Sequence, residues 1–262
     1  MPLKITAAFL VFCFMAINAF QDDKSLNQTD SQGRKQGRWI KKYPNGNIMY
    51  DGFFKDDHPT GEFKRYYENN VLKSLLVFSP DGNEAEAVLY YTNGFKASEG
   101  KYFRQMKEGR WKFFSFFTKG LLISEEEYTN YKLHGWLIKY HPDSVVAEKQ
   151  HYMAGIKDGS WMKYHPDGSL HFNTTYSNGR LNGKFEAFFA DGGRPEVTGQ
   201  YKNDRKEGTW IIYNKDGSIK FKTEYVAGVP KSREMDLYET NYIDSLENLK
   251  RNTEDPEKMQ IR

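Results

Sequence analysis

Residues 159–168 read Gly-Ser-Trp-Met-Lys-Tyr-His-Pro-Asp-Gly, and variants of this stretch recur along the chain. Gly159 stands two positions before Trp161, and other glycines precede a large aromatic residue by one or two positions. These anchor glycines are Gly37, Gly61, Gly109, Gly135, Gly159, Gly183 and Gly208. Successive anchors lie 24, 48, 26, 24, 24 and 25 residues apart, and the interval of 48 holds a degenerate unit that starts at Ala85. The chain therefore contains about eight repeats of about 24 residues.

Two more aromatic columns keep the same phase. Five residues after the anchor stand Tyr66, Tyr90, Phe114, Tyr140, Tyr164, Phe188 and Tyr213, and only Lys42 breaks this fifth-position column. A closing column follows near the end of each unit, with Phe54, Phe78, Tyr102, Tyr128, Tyr152, Tyr176, Tyr201 and Tyr225. Aromatic residues make up only 16% of the chain, so this periodic placement is not a result of composition. Aromatic side chains favour strands.

Turn residues separate the aromatic columns. Pro44-Asn45-Gly46 and Pro166-Asp167-Gly168 belong to one series, and Asn178-Gly179 belongs to a second. Asn-Gly and Asp-Gly supply the positive φ angles of tight hairpin turns. Turns about every twelve residues leave no room for a helix of ordinary length. The pattern predicts an all-β fold over 33–230, an elongated single-layer antiparallel meander of about eight β-hairpins and 16 strands in sequence order.

The aromatic columns have two interpretations. The ring two positions after the anchor and the ring five positions after it differ by three, so a regular strand places them on opposite faces of the sheet. One column then packs between neighbouring hairpins as core. The other either packs as well or forms an exposed ladder for stacking on sugars or peptides. The sequence does not tell which face is buried.

The N-terminus is typical of an export signal. Lys4 precedes an apolar run, 5–20, which is short for a membrane-spanning helix. We expect a signal peptide over 1–19 with cleavage near Ala19, and a secreted, periplasmic or cell-envelope protein with no integral membrane span after cleavage. The alternative is that this segment stays attached as a short anchor. Cys13, the only cysteine, lies within the segment, so the mature chain would hold no disulfide.

The segments flanking the repeats differ in composition. Residues 20–32 are polar and predict a flexible leader, with a partial strand before the first unit. Residues 231–251 lack glycine and space apolar residues every three or four positions, which predicts a helix that caps the last hairpin. These apolar residues are Met235, Tyr238, Tyr242, Leu246 and Leu249. A free, partner-binding helix is the alternative, and 252–262 is expected to be a disordered tail.

Candidate reactive groups have plain structural explanations. His141 and His165 occupy the same column of two repeats, which suggests repeated turn residues rather than the convergent ligands of a metal site. In the run 125–127 the outer glutamates would share a strand face, as a hydrolytic carboxylate pair does, but a solvated or edge-guarding strand is the favoured explanation. No nucleotide-binding or serine-hydrolase motif is present. We therefore predict a protein that is not an enzyme, with no catalytic, cofactor-binding or metal-binding residues.

The unit of anchor glycine, tryptophan, Asn-Gly or Asp-Gly turn and closing tyrosine resembles MORN repeats, and more closely the bacterial MORN-repeat variant family. The resemblance covers 33–230. It implies an extended hairpin sheet without catalytic residues. Many bacterial members carry the label of antitoxin component of a toxin–antitoxin pair, and eukaryotic arrays are associated with membrane-proximal scaffolding and protein contacts. This chain departs from the usual unit in its frequent tryptophan and in its fewer glycines.

These observations favour an exported, non-enzymatic protein-interaction or scaffold surface at the cell envelope. The alternatives are a carbohydrate-binding aromatic surface and an antitoxin-like neutralising partner of a toxin. The net charge is +3 with both signs interspersed, so we expect no nucleic-acid partner. A protein partner is expected, and a glycan is the other candidate.

Overall fold

The computed structural model describes residues 25–190 and 193–231, and these residues form one antiparallel sheet. It has sixteen strands of six to nine residues and three of two residues. They are β1 Gln28–Thr29, β2 Lys35–Lys42, β3 Ile48–Lys55, β4 His58–Tyr66, β5 Leu72–Phe78, β6 Glu84–Tyr90, β7 Lys96–Phe103, β8 Met106–Phe114, β9 Leu122–Thr129, β10 Lys132–Tyr140, β11 Val146–Met153, β12 Ile156–Tyr164, β13 Leu170–Ser177, β14 Arg180–Leu181, β15 Gly183–Phe188, β16 Pro195–Lys202, β17 Arg205–Tyr213, β18 Ile219–Val226 and β19 Val229–Pro230.

Each strand pairs with the strands before and after it in sequence, which confirms the predicted meander. The only departure is that β13 pairs with both β14 and β15, which together fill one strand position. The described residues contain no α-helix, and so nothing in them has the length and hydrophobicity that a helical membrane crossing needs.

The two turn series have different geometries. Many turns between units have two central residues with positive φ, such as Asp56 and Asp57 at 52° and 67° and Asn203 and Asp204 at 50° and 66°. This is the type I′ geometry, whose twist matches that of the strands it joins. Turns within units are longer and often end on a glycine, such as Gly46 at 87°. There the Gly46 N–H donates to the Tyr43 carbonyl at 2.9 Å.

A β-bulge recurs at nearly the same place in every unit. In the first unit Lys41 pairs with Tyr50 and Lys42 pairs with Ile48, so Met49 is an extra residue. The same slip occurs before the fifth-position residue of the other seven units. Bulges increase the local twist of a strand pair. The bulge therefore adds local twist at the same point of each hairpin.

The core lies on one face, which we call the inner face. It carries the ring two positions after each anchor and the closing ring, and Trp111, Phe172 and Phe185 there are completely buried. Rings from successive hairpins stack, since Phe185 lies 5.7 Å from Phe172 and 5.5 Å from Trp210 between centroids. Closing rings pack edge-on, as Tyr201 does against Trp210 at 5.1 Å. The predicted packing of aromatic columns between neighbouring hairpins is confirmed.

Large rings on the inner face are matched by small residues on the preceding strand. A Cβ atom added to Gly52, Gly100 or Gly199 would lie only 2.1 to 2.4 Å from a ring atom of Phe63, Trp111 or Trp210. None of these three glycines has positive φ, so the ring and not the backbone requires glycine there. In the degenerate unit the sizes are reversed, because the inner column has the small Ala87 and its partner on the preceding strand is the larger Leu76. Volume is therefore balanced across each pair of hairpins.

The ends of the array are only partly described. β1 pairs with β2, which confirms a partial strand before the first unit, within the segment predicted as a leader. At the other end β19 adds two residues beside β18. The predicted signal peptide over 1–19, the helix over 231–251 and the tail over 252–262 lie outside the described residues, except for Lys231.

Replacing Gly100 by alanine tests the close approach of Trp111. We expect the free energy of unfolding, measured by urea denaturation, to fall by about 1–3 kcal/mol, because the new methyl overpacks a completely buried ring. In a Trp111→Leu background the same Gly100→Ala change should cost much less, since the ring is gone. An equal cost in both backgrounds would show that the ring does not set the requirement for glycine.

Candidate functional site

Four units share a lysine on the inner face that sequence analysis missed. The motif is Lys-x-Gly-x-Trp, and its lysine ammonium lies 5.0 to 5.3 Å from the centroid of the tryptophan ring in each case. The motif occupies 35–39, 107–111, 157–161 and 206–210. The same ammonium also faces the closing ring of its unit, at 4.8 to 5.3 Å. Each lysine is thus held between two rings, a cation–π arrangement.

The lysine is present only where a tryptophan stands in the inner column. Units with Phe63, Ala87 or Phe185 there carry Pro59, Asn83 or Leu181 in the lysine position. Lys107 is the most buried of the four lysines, with 2% of its surface exposed, and it also contacts Phe113 at 4.9 Å. A buried ammonium needs such partners, because desolvation disfavours its charge. These lysines therefore serve the core rather than a ligand.

One border of the sheet is joined by side chains that reach from each unit to the next. The Tyr43, Tyr67 and Tyr91 hydroxyls donate to the carbonyls of Tyr66, Tyr90 and Phe114 at 2.8 to 2.9 Å. His141 and His165 take the same position in later units, with Nε2 at 3.2 Å from the Tyr164 and Phe188 carbonyls. A carbonyl only accepts, so Nε2 carries the proton in both rings. Burial raises the pKa of Tyr67, which keeps that phenol a donor.

The inner face changes from apolar to polar in the unit that starts at Gly135. There Leu137 pairs with Gln150 in the inner column, whereas Trp136 pairs with His151 on the opposite face. Aligning Trp136 with the tryptophans of the other units therefore places it on the wrong face of the sheet. Trp136 follows its anchor glycine by one position instead of two, and a shift of one residue turns a side chain to the other side of the sheet. No hydrophobic side chain between Phe114 and Trp161 is buried.

Charged groups replace the rings in this polar seam. Lys139 forms an ion pair with Glu148 at 3.0 Å, and the Trp161 indole N–H donates to the same carboxylate at 2.8 Å. Burial alone would raise the pKa of Glu148, but the Lys139 ammonium, the Trp161 hydrogen bond and the nearby Lys163 outweigh it and lower that pKa. Within the described chain Gln150 keeps a buried Oε1 without a hydrogen-bond partner. The carboxylate is fully engaged, which suits a structural role.

A hollow of about 500 Å³ opens on the inner face beside the degenerate unit. Its apolar wall consists of Phe54, Phe63, Phe78, Leu76, Leu89 and Tyr102. Ser74 and Ala85, both almost completely buried, provide the small side chains of its floor. The hollow lies next to Leu76, Leu89 and Tyr102, the side chains that pack around Ala87 in place of the large ring of most other units.

The charged groups at this hollow are mostly basic. Arg65 and Lys73 come from adjacent strands, since Arg65 pairs with Ser74. The Arg65 guanidinium lies 5.7 Å from the Phe63 centroid, and the Lys73 ammonium lies 5.2 Å from the Tyr67 centroid. Within the described ranges neither cation forms an ion pair, although Glu84 lines another part of the hollow. The arrangement can hold an apolar group together with an anion.

The opposite face, which we call the outer face, is polar. Cross-strand ion pairs run along it, including Arg38–Asp51 at 2.7 Å and Lys101–Glu86 at 2.7 Å. A second depression, of about 690 Å³, is lined by Glu86 and Lys101 of this face and shares Phe78, Ala85 and Tyr102 with the hollow. The fifth-position column is also here, but its rings are half-buried and Phe114 is buried, so they do not form an open stacking ladder.

Comparison with protein families identifies the repeats. The MORN repeat variant family matches four segments, 35–56, 59–79, 157–178 and 206–227. The chain contains repeats of the MORN variant type. The four hairpin units outside these segments have the same strand pairing and bulge, so the same hairpin architecture extends over the array. The comparison with curated proteins finds no match.

The matched MORN segments agree with the inner-face motif. Three of the four begin at its lysine, at Lys35, Lys157 and Lys206, and the fourth begins at Pro59. The unmatched stretch 80–156 contains both departures from the regular inner face, the degenerate unit and the polar seam. The hollow lies at the boundary between the matched segment 59–79 and this unmatched stretch, and residues of both line it.

The histidines predicted as repeated turn residues belong to the MORN border ladder described above. His165 also stacks on His171, with 4.3 Å between centroids. Burial, followed by the charges of His165 and Lys163, lowers the pKa of His171 to about 4, so this ring is neutral near pH 7. Across the described ranges no three His, Cys, Asp or Glu side chains come together as a metal site would require.

The acidic run 125–127 is divided between the two faces. Glu125 and Glu127 lie on the outer face, and the Arg110 guanidinium bridges them at 3.6 and 3.3 Å. Glu127 also accepts the backbone N–H of Trp136 at 2.8 Å. Glu126 lies on the inner face, where the Tyr128 hydroxyl donates to it. Both outer carboxylates are engaged with Arg110, so the pair lacks the open cleft that a hydrolytic site needs.

Replacing Lys107 by methionine tests the buried cation. We expect the free energy of unfolding to fall by about 1–2 kcal/mol, because methionine keeps the apolar stem but loses the attraction between the ammonium and three rings. Lys101→Met is the control, since this exposed lysine makes only a surface ion pair and should change stability by less than about 0.5 kcal/mol.

Urea denaturation of both variants gives the comparison. A Lys107→Met protein as stable as the wild type would mean that desolvation of the ammonium cancels its ring contacts.

Proposed function

We propose that this MORN-repeat protein is an exported, non-enzymatic interaction protein of the cell envelope that binds a protein partner through its inner face. The single observation that carries the proposal is the hollow beside the degenerate unit, where half-buried apolar side chains form the wall and two cations have no ion-pair partner among the described residues. Elsewhere the described inner face is occupied by its own rings and lysines or, in the polar seam, by Lys139, Glu148 and Gln150. Binding at such a hollow needs no catalytic side chains.

The arrangement of charged groups supports a binding role rather than catalysis. Candidate carboxylates in the described chain are held in ion pairs, as Glu148 is by Lys139 and Glu125 and Glu127 are by Arg110. A general acid or base has to reach a substrate with a proton that it can exchange. Binding, in contrast, needs only surface complementarity and a rigid frame, which the continuous sheet supplies.

Export rests on the sequence of the N-terminus. The apolar run 5–20 after Lys4 has the length and flanking charge of a signal peptide, and the sheet makes no use of disulfides. An exported protein meets partners at the cell envelope, such as surface or periplasmic proteins. The inner face would be free to receive them there.

Site-specific photocrosslinking in native cells tests the inner face as the binding surface. A photoreactive phenylalanine at His58, an exposed residue that lines the hollow, should capture a defined protein in the full-length chain. The same group at Lys101 on the outer face is the matched control and should not capture it. Capture from Lys101 alone would contradict the inner-face assignment. Glycan-array binding without protein capture would favour the carbohydrate alternative.

N-terminal sequencing of the protein purified from native cells tests export. We expect the mature chain to begin at Phe20, because Ala19 is the small residue at the end of the apolar run. Cell fractionation should place this form outside the cytoplasm. An intact N-terminus in the cytoplasmic fraction would contradict export and would favour an antitoxin-like role.

A further inference from the structure

We propose that the hollow beside the degenerate unit binds the C-terminal aromatic residue of a protein partner, with the ring in the hollow and the free α-carboxylate on Arg65 and Lys73. This inference rests on the proposed function and adds the chemistry of the group that is recognised. It depends on three features of the site: its shape, the nature of its wall and the position of its two cations.

The shape follows from the small side chains of the degenerate unit. In most units the inner column holds a tryptophan or phenylalanine that packs against the closing ring of its own unit, as Trp161 does against Tyr176 at 5.6 Å. In the degenerate unit Ala87 has no ring, Leu76, Leu89 and Tyr102 pack against it instead, and the hollow opens beside these three side chains. A ring supplied by a partner would pack against them from the hollow.

The wall matches an aromatic group. Phe54 and Phe78 line the hollow half-buried, and each makes an edge contact with the buried Phe63, at 5.5 Å and 6.2 Å. Aromatic rings prefer edge-to-face and offset contacts at these separations. Leu76 and Leu89 add apolar surface without hydrogen-bonding groups. A volume of about 500 Å³ accommodates one side chain and part of its backbone.

The two cations select an anion close to that ring. Arg65 follows Phe63 by two residues on β4, so both side chains lie on the inner face. Lys73 is the extra residue of the bulge, since Arg65 pairs with Ser74 and Tyr66 pairs with Leu72. A guanidinium binds a carboxylate through two parallel hydrogen bonds, and an ammonium adds a second charge. A C-terminal aromatic residue carries its ring and carboxylate only a few bonds apart.

The lack of ion-pair partners makes these cations available. Lys139, in the same column as Arg65 three units later, is neutralised by Glu148. Neither Arg65 nor Lys73 has such a carboxylate within the described chain. Glu84 lines the hollow on its own strand, β6, and its backbone N–H is bonded to Ser79. A carboxylate from the partner would neutralise positive charge at Arg65 and Lys73, as Glu148 does at Lys139.

The direct test is titration of the full chain with N-acetyl-L-phenylalanine, followed by NMR or calorimetry. For a ligand of this size we expect a Kd on the order of 1 mM. N-acetyl-L-phenylalaninamide, which has the ring but no carboxylate, should bind at least about fivefold more weakly, and N-acetyl-L-alanine should not bind measurably. Equal binding of the acid and the amide would overturn the role of the cations.

Substitutions at the lining residues test whether the probe binds in the hollow. Arg65→Gln and Lys73→Gln should each weaken binding of the acid by about three- to tenfold, since each removes one charge from a surface position. Lys41→Gln, in the same column one unit earlier and outside the hollow, is the matched control and should leave the Kd unchanged. Ala85→Leu should abolish binding by filling the floor, with circular dichroism to establish that the sheet is retained.

If Arg65→Gln and Lys73→Gln bind the acid as the wild type does, the proposed site is wrong, whatever the fate of Ala85→Leu. The proposed function and this inference fail separately. Photocrosslinking of a partner at His58 without any binding of the probe would refute the C-terminal aromatic residue and leave the interaction surface standing. An amide-capped partner peptide that binds as tightly as its free acid would do the same.

Discussion

The contact on which this molecule depends is that of an inner-face ring with the strand just before it. Trp111 lies directly over the backbone of Gly100, and Trp210 lies over that of Gly199. A single-layer sheet has no second layer to cover its apolar face, so each hairpin must be covered by its neighbours. The close approach of ring to backbone achieves this with few residues, and the lysine of each Lys-x-Gly-x-Trp motif covers the ring from the other side.

The registration of hairpins depends on polar contacts as well. The border ladder changes its donor along the chain, from the Tyr43 hydroxyl to the His165 imidazole, while its acceptor stays the carbonyl of the fifth-position residue in the next unit. The recurrent bulge creates the local twist that places donor and acceptor together. The repeat therefore conserves a geometry and allows different side chains to satisfy it.

The sequence alone predicted the parts of the fold that follow from spacing. Periodic rings and Asn-Gly or Asp-Gly turns were enough for the hairpins, the strand order and the core made of aromatic columns. Spacing was not enough for Trp136, because one residue of slip moves a side chain across the sheet and leaves the period unchanged. The hollow could not be predicted from the sequence for a related reason. Ala87 marks a degenerate unit, but whether Leu76 or Tyr102 fills the missing volume depends on three-dimensional packing. The Lys-x-Gly-x-Trp motif of the inner face can be found in the sequence. The role of its lysine could not be predicted, because the sequence does not tell which face is buried.

The polar seam at Glu148 has a mechanical consequence. One buried aromatic cluster lies before it, around Trp111 and Phe113, and a larger one lies after it, from Trp161 to Tyr225. Between them the hairpins are joined mainly through backbone hydrogen bonds and one ion-pair network. Interdigitated rings resist bending, whereas hydrogen-bonded ladders tolerate small changes of twist. We therefore expect the array to bend more readily at this seam than within either aromatic cluster.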